Sequence, residues 1–344
     1  MTYAIPEKQT LGIIGESGCG KSVTAQSVLR IVPSPGSIRA GRIVLRRPLS
    51  EIEQLQMDED SNEAPVRSDA IELTSLDPRG PLIRAIRGRV ISMIFQEPMT
   101  SLSPVHTIGS QIMEAILLHR TRNKAEARDI ALDMLNKVGI SNPTQRIDEY
   151  PFQLSGGMRQ RAMIAMALSC HPALLLADEP TTALDVTVQA QILELIRGLQ
   201  EEFGMAIQYI THDLGVIAEV ADEIAVMYLG RIVEKGSPDQ IFRNPLHPYT
   251  AALLRSIPKL GKKSGARLET IKGTVPIPLD PPPMCGFFSR CMRAMPGVCD
   301  RAIPALVDMD PGHSVRCFLH SQEQDAPADS NGKLMVADAT GSAT

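Results

Sequence analysis

The run Gly15-Glu16-Ser17-Gly18-Cys19-Gly20-Lys21-Ser22 fits G-x-x-x-x-G-K-[ST] at every fixed position. Residues of these types at this spacing capture a phosphate chain. Glycines let backbone N–H groups converge on phosphate oxygens, because no side chain blocks their approach. Lys21 supplies a point charge for the outer phosphates. Ser22 offers a hydroxyl to the accompanying Mg²⁺, an ion that keeps most of its waters. Downstream, the apolar run Leu174–Ala177 ends in Asp178 and Glu179. Asp178 can hold Mg²⁺ through its water shell, and Glu179 can orient and deprotonate an attacking water. An acidic pair after a strand is, alone, an ordinary solvated turn; the lysine motif upstream makes it a candidate hydrolytic pair. A third group, Leu154-Ser155-Gly156-Gly157-Met158-Arg159-Gln160, combines a capping serine, two glycines and a helix start. Its unpaired N–H groups form a second anion site. Two such sites make sense if a γ-phosphate is sandwiched between this one and the loop of another subunit.

The elements that must position these groups follow from the pattern of apolar residues. Leu11–Ile14 is short and apolar enough for a buried strand, and Val23 to Ile31 reads as a helix whose positive end faces the glycine loop. Residues 1–9 read as the end of a strand and a turn. Gly41–Leu45 and Val90–Phe95 are further strand-like runs, the latter broken by Gln96-Glu97-Pro98. Residues 48–70 are polar and acidic and read as a solvated insertion. From Ile108 to Gly139, Ile112, Ala115, Ile116, Leu132, Leu135 and Val138 predict two helices separated by the polar stretch Arg120–Asp129. Ser155 should cap a helix reaching Ser169. Leu174–Ala177 and Ala206–Ile210 are expected strands, with an amphipathic helix over Val188–Leu199 between them. Ile224–Leu229 and Arg231–Glu234 flank Gly230 and predict a hairpin. Beyond Gly236 prolines become frequent, and residues 321–344 are small and polar, the composition of a disordered tail.

Composition narrows the classes. At 344 residues the chain is long enough for more than one unit. A net charge of −4, aromatics at 3% and the absence of Trp argue against a nucleic-acid partner, which needs a basic field and stacking platforms. No apolar run approaches the length of a membrane span, and the N-terminus lacks the order of a signal peptide. A cytoplasmic protein that meets a membrane only through partners is expected. Cys19 and Cys170 are isolated and read as small buried residues. Cys285, Cys291, Cys299 and Cys317 cluster late in the chain, and in a reducing compartment such a cluster reads as a metal site before it reads as disulfides.

In order and spacing, these motifs resemble the nucleotide-binding subunits of ABC transporters. Gly15–Ser22 matches the Walker A motif, Leu154–Gln160 the signature motif and Leu174–Glu179 Walker B. Ala183-Leu184-Asp185 looks like the D-loop, Gln96 stands where the Q-loop glutamine belongs, and His212 where the switch histidine belongs. The resemblance implies an α/β P-loop NTPase (RecA-like) core at 1–96 and 170–235, with an inserted α-helical subdomain at 97–169. It implies ATP and Mg²⁺ as ligands: Gly15, Glu16, Ser17, Gly18, Cys19, Gly20, Lys21, Ser22, Ser155, Gly156, Gly157, Asp178 and Asp185 around the nucleotide, with Ser22, Gln96 and Asp178 near Mg²⁺. Glu179, Gln96 and His212 would serve hydrolysis, Gln96 touching the metal and His212 the γ-phosphate. Taken alone, Gln96 is a polar residue at a strand end and His212 a loop histidine.

The last quarter narrows the family. Phe242-Arg243-Asn244-Pro245, His247-Pro248-Tyr249-Thr250, Leu253-Leu254 and the stretch GTVPIPLDPPP from Gly273 to Pro283 are similar to the oligopeptide and dipeptide importer ATPases. Residues 236–320 are expected to form a small extension of that type. Some members hold a [4Fe-4S] cluster on four cysteines, matched here by Cys285, Cys291, Cys299 and Cys317. Four thiolates hold such a cluster or a tetrahedral Zn²⁺, and no C-x-x-C pair favours a zinc ribbon; a site without metal is the third option. The metal's role would be to clamp an extension too poor in apolar residues to make its own core. The implied protein is a peptide-importer ATPase on the cytoplasmic face of the inner membrane. It would pair with an identical or paralogous ATPase, dock on two permease subunits through Gln96 and the 108–139 helices, and be served indirectly by a solute-binding protein. Nickel or another small solute is the alternative cargo; a soluble ABC ATPase of repair or translation, or a non-catalytic subunit, are the alternative classes. The pattern departs from the family at its start. Members carry further N-terminal strands and an aromatic that stacks on adenine; Tyr3 lies too close to the phosphate loop to be that residue. Either the start lies upstream of Met1, or nucleotide affinity is lowered, base stacking being worth about 1–3 kcal/mol.

Overall fold

The computed structural model describes residues 1–48, 50–51, 69–96, 101–182, 184–256, 271–276 and 283–320. Most of the acidic insertion, the segment 97–100, Ala183, 277–282 and the tail 321–344 lie outside the described residues. Ten strands are present among the described residues: β1 (Thr10–Ile14), β2 (Val44–Arg46), β3 (Ala70–Glu72), β4 (Ile91–Ile94), β5 (Leu174–Asp178), β6 (Ala206–Ile210), β7 (Glu223–Tyr228), β8 (Arg231–Gly236), β9 (Val307–Asp310) and β10 (His313–Val315). The chain divides into two compact units: residues 1–3, 11–21 and 211–344, and residues 4–10 and 22–210.

In the first unit β1 runs parallel to β7, with Ile13 opposite Ala225. β7 turns through Leu229-Gly230 into antiparallel β8, as the hairpin signal predicts, and a bulge between Val226 and Met227 bends the pair. β10 adds to the other edge of β8 and β9 to β10. β1 is buried throughout, as its unbroken apolar run requires of a strand covered on both faces. Gly12 is part of that packing, since a Cβ there would meet Ile217 Cγ1 at 2.4 Å.

The second unit carries the parallel strands β4, β5 and β6, paired Ile91 to Leu174 and Leu174 to Ala206, and the small β2–β3 hairpin. Helices Ile108–His119, Lys124–Lys137 and Gly156–Leu168 pack together, and their residues Ile112, Ile116, Ala131, Met134, Leu135, Ala162 and Ile164 are buried. Two expectations change. Only Arg120–Asn123 separates the first two of these helices; Lys124–Asp129 is helical, its residues being compatible with a helix that packs on its neighbours, and Asn123 Oδ1 caps the start by accepting from Ala125 N at 2.9 Å. Residues 1–9 form no strand. Gln9 N donates to Pro6 O at 3.3 Å, a turn with Lys8 at a φ of 62°.

The extension does have a core. Phe287 is buried, with its ring centroid 5.3 Å from those of both Tyr228 and Tyr249, and Val315 of β10 is fully buried. Aromatic packing and strand addition anchor this segment, a role the sequence reading left to a metal.

Candidate functional site

The phosphate loop follows β1 and leads into helix Lys21–Val28. Gly15, Gly18 and Gly20 all have positive φ (154°, 82° and 97°), the conformations for which the motif reserves glycine. At Gly15 a Cβ would also lie 2.3 Å from Met227 O. At Gly18 it would meet nothing within 4 Å, so the loop is open there. Lys21, itself buried, closes the curve by donating from Nζ to Gly15 O (2.8 Å) and Glu16 O (3.1 Å). A cation ringed by glycine backbone is the chemistry that receives a phosphate chain. Ser22 stands in the first turn of the helix. Ser17 is exposed. Cys19 is buried beside Tyr249, burial pushes its thiol up, and its carbonyl accepts from Gly230 N at 2.8 Å. It is a packing residue of the loop.

Glu16, expected around the nucleotide, is held by Tyr249 and Arg290. Its N–H donates to Tyr249 Oη (2.8 Å), and its carboxylate takes a bidentate pair from Arg290, 2.7 Å from Nη1 to Oε2 and 2.9 Å from Nη2 to Oε1. Its side chain therefore serves the extension. Tyr249 entered the sequence reading only within the stretch His247-Pro248-Tyr249-Thr250, and Arg290 not at all; its charge inside an apolar-poor cysteine segment was the one cue available.

In the second unit β5 delivers Asp178, buried, as its last residue, and Glu179 directly beyond it. Glu179 holds a left-handed φ of 49°, a conformation that costs a non-glycine residue about 1 kcal/mol or more. Its N–H donates to Ile210 O at 2.9 Å. Its Oε2 accepts from Gln96 Nε2 at 3.1 Å and from Thr182 Oγ1 at 2.9 Å. The structure thus brings Gln96 and Glu179 together, 83 residues apart, and adds Thr182, which the sequence reading passed over. A carboxylate aimed by two donors at the end of a parallel strand can orient a water and accept its proton.

Ser155 caps helix Gly156–Leu168 as expected, its Oγ accepting from Met158 N at 3.4 Å. Gly156 and Gly157 open that helix, and the buried Gln160 donates its amide to Pro180 O, tying the helix to the turn that holds Glu179. Asp185 caps helix Val186–Phe203 through Oδ1 to Val188 N at 2.9 Å. His212 is exposed in the turn before helix Leu214–Val220.

The four late cysteines approach one another: Cys285 N donates to Cys299 O at 2.9 Å. Burial raises the Cys285 and Cys291 thiols and pushes Cys317 up to about 12, each further raised by neighbouring thiols. The donor chemistry suits a cluster or zinc, yet among the described residues no three His, Cys, Asp or Glu side chains are gathered closely enough to hold a metal ion. The thiols as placed do not fit a metal.

Among the described residues no helix is long and apolar enough to cross a membrane. Residues 1–182 match the family model "ABC transporter", and residues 233–299 match "Oligopeptide/dipeptide transporter, C-terminal region". The probable peptide ABC transporter ATP-binding protein y4tR of Sinorhizobium fredii is 47% identical over 94% of this chain and 89% of its own length. The dipeptide transport ATP-binding protein DppD of Bacillus subtilis is 45% identical over 94% of this chain and 88% of its own. Among solved structures, the dimeric post-hydrolysis state of the ATP-binding cassette MJ0796 bound to ADP and Pi aligns at a TM-score of 0.55 and 26% identity, covering 69% of this chain and 88% of that one. A glycine loop closed by a buried lysine, an aimed carboxylate beyond β5, and likeness along nearly the whole chain converge: this protein belongs to the ABC transporter family, as an ATP-hydrolysing subunit whose turnover is coupled to transport.

Proposed function

We propose that this chain energises uptake of di- or oligopeptides, as one of two ATPase subunits beneath a pair of membrane permeases on the cytoplasmic face of the inner membrane. The observation that carries the hydrolytic part is the Glu179 carboxylate, held by Gln96 and Thr182 at the end of β5. The peptide cargo is supported by relatives named for peptide and dipeptide transport, together with the match of residues 233–299 to the oligopeptide/dipeptide transporter C-terminal region.

MgATP is the substrate. The Gly15–Ser22 loop binds its phosphates through backbone N–H groups and the Lys21 charge, while Ser22, Gln96 and Asp178 would hold the magnesium, which would neutralise charge on the phosphates. Glu179 takes the proton of the attacking water, and His212 contacts the γ-phosphate. Ser155, Gly156 and Gly157 supply the second anion site, presented to the nucleotide of a partner subunit whose own helix serves this one in return; Asp185 lines that interface. Closure excludes water from the reacting phosphate, and hydrolysis permits reopening, a cycle that Gln96 and the helices of 108–139 pass to the permeases. The core is assigned to 1–96 and 170–235, the helical subdomain to 97–169 and the extension to 236–320.

Reconstitution with the permease pair and the solute-binding protein tests this reading. Peptide-loaded binding protein should stimulate MgATP hydrolysis. Stimulation by a Ni²⁺-loaded binding protein with no response to peptides would overturn the cargo, and absence of Mg²⁺-dependent hydrolysis would overturn the rest.

A further inference from the structure

The cysteine-bearing extension reaches back to the phosphate loop through two side chains, Tyr249 and Arg290. Arg290 ends the short helical turn Phe288–Arg290, one residue before Cys291, with its side chain 5% exposed. A guanidinium carries five N–H donors, and this one uses them all. Nε donates to Lys272 O at 2.8 Å, Nη1 to Glu16 Oε2 at 2.7 Å and Tyr228 Oη at 3.3 Å, and Nη2 to Glu16 Oε1 at 2.9 Å and Gly273 O at 3.1 Å. Its plane also lies near the rings of Tyr228 and Phe287, 5.8 and 6.0 Å from their centroids. An ion this deeply placed, with every donor satisfied, is fixed in position, and the carboxylate it grips is fixed with it.

That carboxylate belongs to the second residue of the phosphate loop. Every polar group of Glu16 is engaged: the carboxylate by Arg290, the N–H by Tyr249 Oη, and the carbonyl by Lys21 Nζ at 3.1 Å. Arg290 and Tyr249 come from separate parts of the extension, 41 residues apart, and Lys21 is the loop's own cation. The path from Arg290 to Lys21 is therefore two contacts long, through a single residue. The loop needs only Gly15, Gly18, Gly20 and Lys21 to cradle phosphate; nothing in that chemistry calls for a glutamate pinned from outside.

We propose that Arg290 is a positioning residue for nucleotide binding: its bidentate pair with Glu16 holds the phosphate loop in its phosphate-ready curve, so that the folded cysteine-bearing extension sets this subunit's affinity for ATP. The proposal rests on the reading that the Gly15–Ser22 loop takes the triphosphate. Lysine cannot replace Arg290, because a point charge offers three donors without the planar fork that matches a carboxylate. The effect falls on binding, because pre-organisation of the loop acts on nucleotide and transition state alike.

The test measures affinity of the full chain for a fluorescent ATP analogue, alongside its melting temperature. Arg290→Lys and Glu16→Gln should each weaken binding about tenfold or more, the scale of a lost charge-assisted pair. The double variant Glu16→Gln/Arg290→Lys should be no weaker than the worse single, since both remove one linkage. Val315→Ala opens the core under β10 without touching the pair; it should lower the melting temperature and leave affinity unchanged. Lys21→Ala, as the reference for the underlying reading, should abolish binding. Affinity within twofold of the parent in Arg290→Lys and Glu16→Gln, with Lys21→Ala inactive, overturns the proposal and leaves the reading of the loop intact. Affinity that follows melting temperature through all variants, Val315→Ala included, also overturns it. Full binding by Lys21→Ala overturns the reading itself.

Discussion

Replacing Glu179 by glutamine separates chemistry from structure at this site. Glutamine has the same length and shape and keeps one side-chain oxygen, so Thr182 Oγ1 and Gln96 Nε2, now 2.9 and 3.1 Å from Oε2, still find an acceptor. Both hydrogen bonds weaken from charged to neutral, a change of about 1 kcal/mol in this half-buried setting. The backbone remains at its left-handed φ of 49°. What disappears is basicity. A positioned general base contributes roughly 10²–10⁴-fold, or about 3–5 kcal/mol of barrier at 1.36 kcal/mol per decade. Phosphate release from MgATP by Glu179→Gln should therefore fall by at least about a hundredfold, with ATP binding unchanged and melting nearly so. Glu179→Gly sharpens the test. It relieves about 1 kcal/mol of left-handed backbone strain but gives up both hydrogen bonds from Gln96 and Thr182, so it should share the rate loss of Glu179→Gln and be the less stable of the two. Turnover of Glu179→Gln within tenfold of the parent would refute the assignment of the water's proton to this carboxylate.

Three further outcomes follow from the same geometry. Gly15→Ala places a Cβ 2.3 Å from Met227 O at a φ unsuited to alanine; it should lose both ATP binding and about 1–3 kcal/mol of stability, measured by analogue titration and urea denaturation. His247 is buried and held neutral, its pKa depressed to about 3 mainly by burial and further by His320, and its Nδ1 accepts from Tyr249 N at 3.0 Å. Unfolded, it binds a proton below about 6.5 that the native state refuses. Its contribution is thus complete above that pH and falls as pH drops, by about 2 kcal/mol at pH 5. His247→Asn, which keeps a capping acceptor, should flatten the decline in urea-measured stability between pH 7 and pH 5; an unchanged slope would contradict this. With its thiol at about 12, Cys317 is thiolate in only about one molecule in 10⁴ at pH 8, so alkylation there should be slow in the native chain and fast in denaturant, followed by mass spectrometry.

Local chemistry made much of this site legible. The glycines of Gly15–Ser22 occupy the positive-φ positions that the motif reserves for them. Ser155 caps its helix and Ala206–Ile210 is a strand to the residue, because capping and unbroken apolar runs act over a few neighbours. The Gly230 hairpin is local in the same sense, since a left-handed glycine between apolar runs turns the chain wherever it stands. Where expectation failed, the cause was distance or context. Lys124–Asp129 looked like a linker because polarity alone does not distinguish a solvent-facing helical turn from a loop, and packing of the Lys124–Lys137 helix on its neighbours decided it. Cysteine spacing suggested a metal clamp, whereas Phe287 and Val315 show that burial against β7 and β8 anchors the extension.

The sequence by itself determined the phosphate loop, the capped glycine helix, the acidic strand end and the family, all carried by short patterns whose physics is contained within a few residues. Tertiary structure alone decided which donors aim Glu179 and what becomes of Glu16. A carboxylate's partner is chosen by burial and geometry, and Arg290 stands 274 residues from Glu16 along the chain; no spacing rule spans that separation, and only the folding of the extension onto the β7–β8 hairpin brings a guanidinium to the loop.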